Sequence, residues 1–123
     1  MTMQDAIRRA QKVGPRINAD GKAQFEFCFP ADDFTFAGHF PNRPLLPGVF
    51  QLEIVRIAAE AALKQRVIVR EIVKAKFLRP IIPEEIVRVE LKLTEKPDTI
   101  QARASFSVLG QPAGEAILHL ARS

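Results

Sequence analysis

One long apolar segment constrains the fold of this chain more than any other feature. From Val49 to about Gln65 the sequence contains no proline or glycine, and apolar residues occupy most of the circumference of the helix it predicts. A helix that is apolar on several sides must be buried on several sides. The chain has 123 residues, the size of one domain, so a curved sheet wrapped around the helix is the simplest way to bury it.

Period-two patterns on both sides of this helix predict that sheet. Before the helix, Phe25, Phe27 and Phe29 alternate with less apolar neighbours, and Pro30 ends the strand. Further strands are predicted after the helix at about 67–78, 87–93, 100–108 and 116–120. We interpret them as an antiparallel meander with turns at "KPDT" and "GQPAG".

A short first helix is predicted from Met3 to Val13, where Ala6, Ile7 and Ala10 share a face and Gly14 and Pro15 stop the helix. The fold class predicted for residues 1–123 is therefore α+β, a single domain in which a long central helix is wrapped by a curved antiparallel sheet.

Composition excludes several classes of protein. The chain is 47% hydrophobic and 26% charged, as in an ordinary globular protein. It has no uncharged apolar run of about 18 residues and no signal-peptide core, which predicts a cytoplasmic protein without a membrane span. Cys28 is the only cysteine, so neither an intrachain disulfide nor a cysteine-built metal site is expected. The net charge of +4 favours an acidic partner, but the chain has no Trp or Tyr to stack on bases, which argues against nucleic acid.

A histidine stands in the irregular segment between the first strand and the long helix. The sequence "GHFPNRPLLPGVFQLE" places His39 before three prolines, Pro41, Pro44 and Pro47. Each proline fixes φ near −65°, so the segment loses less entropy when it holds the histidine in place. A long ordered segment of this kind in a compact domain is usually functional. The alternative is a core histidine that only helps to start the helix.

The motif carries a family resemblance. It resembles the active-site signature of the hot-dog-fold 3-hydroxyacyl-acyl-carrier-protein dehydratases at Phe36, Gly38, His39, Phe40, Pro41, Pro44, Pro47, Gly48, Val49 and Glu53. A second block, "KAKFLRPIIPEEIVRVEL", resembles the strand, corner and strand that follow the central helix in the same family. The resemblance implies a hot-dog fold and dehydration of a 3-hydroxyacyl thioester to the trans-2-enoyl thioester, in fatty acid or related secondary-metabolite synthesis.

Site residues follow from that resemblance. Dehydration needs a base for the C2 proton, an acid for the leaving hydroxyl and hydrogen bonds to the thioester oxygen. The resemblance assigns these roles to His39, to Glu53 with a bound water, and to the backbone N–H of Gly48. The residues that it implies along the substrate are Phe40, Pro47, Val49 and Phe50. No metal or cofactor is implied.

The same resemblance implies partners. In this family the histidine and the carboxylate of one site come from different subunits, so a homodimer, a higher oligomer or a heterodimer is expected. The substrate partner is an acyl carrier protein, which is acidic. A basic run could surround the tunnel mouth where that carrier docks, at Arg43, Lys64, Arg66, Arg70, Lys74, Lys76 and Arg79, opposed by Glu71. His119, in the last strand, is expected to face solvent or a neighbour and has no assigned role.

Two features keep alternatives open. Glu53 shares a helical stripe with Arg56, Glu60 and Lys64, a pattern that usually marks a solvated face with weak ion pairs. Where the family commonly reads Ala-Met-Ala-Gln after the carboxylate, this chain has residues 54–57, "IVRI", and an Arg three residues from Glu53 can pair with it. The alternatives are a hot-dog thioesterase or CoA-thioester hydratase, and a non-catalytic subunit that shapes a partner's site.

Overall fold

The computed structural model describes residues 2–31 and 45–123. In these ranges the chain forms two helices and six strands, in the order α1 (Met3–Ala10), β1 (Gln11–Ile17), β2 (Ala23–Cys28), α2 (Gly48–Leu63), β3 (Val67–Phe77), β4 (Ile86–Glu95), β5 (Ile100–Val108) and β6 (Gln111–Arg122). The long helix therefore begins one residue before the predicted start and ends two residues before the predicted end. Lys64 caps it in the left-handed conformation, with φ of 57°.

All six strands belong to one antiparallel sheet with the order β1-β2-β4-β5-β6-β3. Helix α2 packs against one face of this curved sheet, and its residues Ile54, Val55 and Ala58 are completely buried. The predicted alternation of β2 is confirmed, because Phe25 and Phe27 are also completely buried. The α+β class with a central helix against an antiparallel sheet is thus confirmed.

The first helix is shorter than predicted. A capping box between Thr2 and Asp5 starts α1, and these hydrogen bonds from Thr2 hold the pKa of Asp5 below its usual value. The helix ends at Ala10, because from Gln11 onward the backbone pairs with β2. The extension to Val13 was wrong, since Val13 fits the helical period and yet lies in β1 opposite Glu26.

The backbone conformation and close packing at Gly14 explain why a glycine lies inside β1. Gly14 has φ of +112°, and a Cβ atom there would lie 2.5 Å from the carbonyl oxygen of Gln24 on β2. The register of the β1–β2 pair shifts between Val13 and Arg16, the stretch that contains this residue. Glycine therefore lets an irregular strand continue where the sequence pattern predicted a stop.

The four C-terminal strands do not form a simple meander. Strands β4, β5 and β6 are sequential neighbours, but β3 pairs with β6, and β4 pairs with β2. The predicted "GQPAG" turn is also too long: the chain turns at Leu109 and Gly110, both with positive φ, and Gln111 already pairs in β6. Local patterns predicted the strands, whereas the long-range pairing of β3 has no local signal.

The consequence is that β3 lies at one edge of the sheet. It is 11 residues long, and Ile68, Ile72 and Phe77 are 55%, 52% and 51% exposed. The opposite edge, β1, has 7 residues, contains Pro15 and packs beside α1. A long apolar edge strand is a template for pairing with another chain.

In the described ranges, no helix is both long and apolar enough to cross a membrane.

Candidate active site

The N-terminus of α2 lies at Gly48, as the motif predicted. Pro47 occupies the N-cap position in an extended conformation, with φ of −61°, and no side chain from the described ranges caps the helix. The carbonyl of Pro47 accepts hydrogen bonds from Phe50 and Gln51, at 3.0 and 3.3 Å. The first N–H groups of a helix have no intrahelical acceptor, and within the described ranges those of Gly48 and Val49 have none elsewhere, which leaves them for a ligand.

A groove of about 320 Å³ opens beside this helix start. Its lining is mostly apolar and consists of Leu45, Leu46, Gly48, Gln51, Phe77, Leu78, Arg79 and Pro80. A Cβ atom on Gly48 would lie 2.8 Å from Cζ of Phe77, so glycine allows the aromatic ring of β3 to pack against the first turn of α2. The arrangement joins open N–H donors to an apolar channel, which suits a polar group at the end of an apolar or flexible chain.

His39 and Phe40 lie outside the described residues, and their predicted roles stay predictions. The residues that flank residues 32–44 are described, however, and both are held to the corner between β3 and β4. The N–H of Ala31 donates to Glu84 Oε1 at 2.9 Å, and the N–H of Leu46 donates to the carbonyl of Ile81 at 2.7 Å. The two flanks of the motif segment are therefore anchored close to each other.

Glu53 lies in the second turn of α2 with a side chain that is 19% exposed. Its carboxylate accepts a hydrogen bond from Arg56, which confirms the pairing that the spacing suggested. Arg56 also lies 2.8 Å from Glu60 and donates to the carbonyl of Val67 at 3.3 Å. Glu53 is thus neither free nor fully solvated, but part of a half-buried charged network.

The same network connects three elements. Glu60 accepts from the backbone N–H of Val67 at the start of β3, at 3.0 Å, and lies 3.8 Å from Arg8 on α1. Lys64, which the sequence placed on this stripe, is exposed at the C-cap and makes none of the network's bonds described here. The interpretation as a solvated stripe was therefore wrong for Glu53, Arg56 and Glu60, whose side chains are only 17–19% exposed.

The other predicted substrate residues occupy different environments. Val49 is exposed, whereas Phe50 is buried in the core beneath α2. Pro47 fixes the helix start, but the groove described above is lined by neither Pro47, Val49 nor Phe50. Sequence reasoning missed Gln51, a buried polar side chain one turn after Gly48, and Phe77. The available signal was a lone glutamine on an otherwise apolar helix face.

The described part of the basic run does not surround one opening, and Arg43 lies outside the described residues. Helix α2 has 16 residues, or about 24 Å, and β3 returns beside it, so Lys64 and Arg79 lie near opposite ends. Lys74 pairs with Glu115 at 2.7 Å, and this hydrogen bond lowers the pKa of Glu115. Arg79 pairs with Glu85 at 2.6 Å. Within the residues that the structure describes, only the last part of the run, at Arg79, reaches the groove.

His119 contacts a neighbour, as expected. It lies on β6, and its Nδ1 atom is 3.2 Å from Oε1 of Glu71 on β3. This contact joins two strands on the face of the sheet that lies away from α2, and it gives His119 no part in the groove.

Solved structures with similar architecture identify the fold. A chain of the dehydratase heterocomplex ApeI:P from Xenorhabdus doucetiae is 26% identical and superposes with a TM-score of 0.72, over 89% of this chain and 93% of that chain. The fluoroacetyl-CoA thioesterase FlK superposes with a TM-score of 0.71, over 90% of each chain, but at 13% identity it shows the fold alone. These are hot-dog-fold proteins, so the predicted hot-dog fold is confirmed.

Sequence comparison identifies the family. The 3-hydroxyacyl-[acyl-carrier-protein] dehydratase FabZ of Clostridium botulinum (strain Kyoto / Type A2) is 32% identical over 96 residues, which cover 72% of this chain and 67% of that protein. The corresponding dehydratase of Granulibacter bethesdensis is 33% identical, over 70% of this chain and 56% of that protein. The model of the ApeI-like family, described as ApeI dehydratase, matches residues 16–116. This chain therefore belongs to the ApeI-like dehydratases.

Proposed function

We propose that this protein dehydrates a 3-hydroxyacyl thioester carried on acyl carrier protein to the trans-2-enoyl thioester, in fatty acid synthesis or a related secondary-metabolite pathway. The observation that carries the proposal is the open N-terminus of α2 at Gly48, beside an apolar groove, in a chain of a dehydratase family. A helix N-terminus carries about half a positive charge. That charge stabilises a thioester oxygen as it becomes negative during the reaction.

The reaction needs one proton removed and one supplied. In this proposal His39 takes the proton from C2, and the thioester oxygen accepts a hydrogen bond from the N–H of Gly48 while it holds the resulting charge. The electron pair then forms the C2–C3 double bond as the C3–O bond breaks. Glu53 in its acid form passes a proton through a bound water to the C3 hydroxyl, which leaves as water, and the proton on His39 afterwards returns Glu53 to its acid form.

The anchoring of the motif segment supports the role of His39. Ala31 and Leu46, on either side of residues 32–44, bond to the corner that contains Ile81 and Glu84. Leu46 also lines the groove beside Gly48. A segment that leaves and returns at this corner has its ends near the groove, which is where the proposed base must act.

The exposed edge of the sheet supports a second subunit. We infer that a partner hot-dog subunit pairs along β3, either a copy of this chain or a different chain. The ApeI:P heterocomplex among the similar structures supports an assembly of this kind. The proposal predicts that Ile72→Lys converts the assembly to monomers, whereas the same change on the opposite edge, Ile17→Lys, does not. Sedimentation velocity measures both, and an unchanged assembly in Ile72→Lys would contradict the proposal.

The reaction itself is tested with the purified protein and a 3-hydroxyacyl thioester on acyl carrier protein. Dehydration gives loss of water by mass spectrometry without release of free thiol. Thiol release would instead indicate a thioesterase, and either result alone decides between the two activities. The Arg56–Glu53 pair favours a second candidate, a subunit that needs a partner's carboxylate. That candidate predicts no turnover by the chain alone and turnover after a second hot-dog subunit is added.

Carrier docking at the groove end of the basic run is a separate proposal. Lys76 is exposed and precedes the groove-lining Phe77. Exposed charges attract over about 8 Å at physiological ionic strength, so Lys76→Glu should lower kcat/KM for the carrier-bound substrate and reduce its salt dependence. Activity on a short neutral thioester should change little. Lys64→Glu, at the far end of the same run, is the matched control, and equal effects of the two changes would contradict docking at the groove.

A further inference from the structure

Gln51 is the one polar or charged side chain in the described ranges that is almost completely buried, at 3% exposure. Its Oε1 atom has no hydrogen-bond partner among the described residues. An unpaired buried acceptor costs about 1–3 kcal/mol, and nearly all such groups in native proteins find a partner. The cost implies that a donor outside the described residues satisfies Gln51 when the protein is at work.

The surroundings of Gln51 leave room for its amide. Gly114 on β6 faces it, and a Cβ atom on Gly114 would lie 3.3 Å from Oε1 and 2.9 Å from the carbonyl oxygen of Lys76. Any larger residue at position 114 would therefore crowd the amide against β3. Oε1 therefore packs closely against Gly114, where only glycine fits beside it.

Gln51 also lines the groove, together with Gly48 one turn earlier. The rest of the lining is largely apolar, and the guanidinium of Arg79 is already bonded to Glu85 and to the carbonyl of Pro80. The groove thus has an N–H donor at Gly48 and Gln51 in its wall, and a rotation of the Gln51 side chain would bring the unpaired oxygen, which is buried from solvent, to a ligand in the groove. These two groups lie on neighbouring positions of one helix face.

We propose that Gln51 Oε1 accepts a hydrogen bond from an amide N–H of the arm that carries the thioester, while the N–H of Gly48 holds the thioester carbonyl. The inference rests on the proposed function, because it requires a substrate attached through an arm with a secondary amide. The other donor on such a substrate is the C3 hydroxyl. That group belongs near Glu53, which lies about 200° around the helix from Gln51.

The test uses two substrates that differ in one group. One is a 3-hydroxyacyl thioester of N-acetylcysteamine, and the other has a methylene in place of the amide N–H. One hydrogen bond is worth about 1 kcal/mol, so the wild-type protein should prefer the amide substrate about fivefold in kcat/KM. Gln51→Met keeps the side-chain length and should abolish the preference. Gln65→Met makes the same change at an exposed site just after α2 and should retain it.

A stability measurement separates a ligand-binding role from a structural one. If Oε1 lacks a partner in the free protein, Gln51→Met should melt a few degrees above the wild type while losing the substrate preference. A lower melting temperature than that of Gln65→Met would overturn the proposal, because it would mean that a protein group satisfies the amide. A preference that persists in Gln51→Met would overturn it as well.

A binding experiment distinguishes failure of the proposed dehydratase activity from failure of the inference about Gln51. If the wild-type protein turns over neither substrate, the same pair of arms is compared on saturated acyl thioesters, whose binding is followed by saturation-transfer NMR. Tighter binding of the amide arm that depends on Gln51 supports the inference without catalysis. Equal binding of the two arms to the wild type overturns it.

Discussion

The first turn of α2 and the charged stripe that follows it differ in whether their polar groups have hydrogen-bond partners among the described residues. In the first turn, Gly48 has an open N–H and Gln51 has an unpaired oxygen. Further along, Glu53 and Glu60 are both paired with Arg56. Because unpaired buried groups are costly, the first turn is where a ligand is expected, whereas the stripe holds the helix to its neighbours. Glu53 lies at the boundary between the two regions.

The largest effect is expected from His39→Ala, which removes the proposed base. Dehydration should fall by at least about a hundredfold, the usual scale for a general base, with the oligomeric state unchanged. Steady-state kinetics and sedimentation velocity measure the two quantities. A variant that keeps most of its activity would leave the open helix start without a chemical partner and would remove His39 from the mechanism.

Glu53→Gln tests whether Glu53 belongs to the reaction site or only to the structural network around Arg56. If Glu53 acts on the leaving hydroxyl, the amide should lower kcat by at least about tenfold, because it cannot hold a proton for transfer. Glu60→Gln makes the same change at the other carboxylate bonded to Arg56, and its amide oxygen can still accept from Val67. Equal, small effects of the two variants would assign Glu53 to the structural network alone.

Gly48→Ala tests the first turn of α2, where the helix start meets the groove. The added methyl would meet the ring of Phe77 at 2.8 Å and displace it into the groove. We expect a loss of about tenfold in kcat/KM with little change in melting temperature, since the ring is half exposed and can move. The double variant Gly48→Ala/Phe77→Leu should recover much of the loss. No recovery would show that the ring is not the obstacle.

Arg56→Ala is expected to have the smallest effect on activity and to act on stability. Arg56 is the cation that holds two carboxylates of the stripe. Its removal leaves Glu53 and Glu60 without this partner in a mostly buried position, so the melting temperature should fall by a few degrees. Thermal unfolding followed by circular dichroism measures the change. A melting temperature equal to that of the wild type would show that the stripe does not hold the helix to its neighbours.

The sequence predicted the elements of this fold better than their connections. The apolar residues of α2 cover most of its circumference, and those of β2 alternate with polar ones. Both are local sequence patterns, so they predicted the burial of these two elements directly. The edge position of β3 depends on pairing with β6, which lies more than 35 residues away in sequence, and no local pattern specifies such a partner. Val13 shows the same limit on a smaller scale, because its period fitted a helix while its pairing with β2 made it a strand.

For the candidate site, the motif located Gly48 and Glu53, and their spacing indicated the Arg56 pair. The sequence signal for Gln51, a lone glutamine on an apolar helix face, was too weak to assign it, since a single glutamine in a helix is exposed far more often than buried. Its burial depends on Gly114, which lies on a distant strand and leaves space by having no side chain. A residue whose role depends on what another position lacks becomes visible only in the folded structure.

The apolar edge of β3 has a consequence for how much of this protein a cell can hold. A subunit made in excess of its partner would keep Ile68, Ile72 and Phe77 uncovered, and such an edge recruits chaperones, proteases or other copies of itself. Steady-state abundance would then follow the supply of the partner rather than the rate of synthesis. Expression of the chain alone and together with its partner, followed by pulse-chase measurement of its half-life, would show this dependence directly.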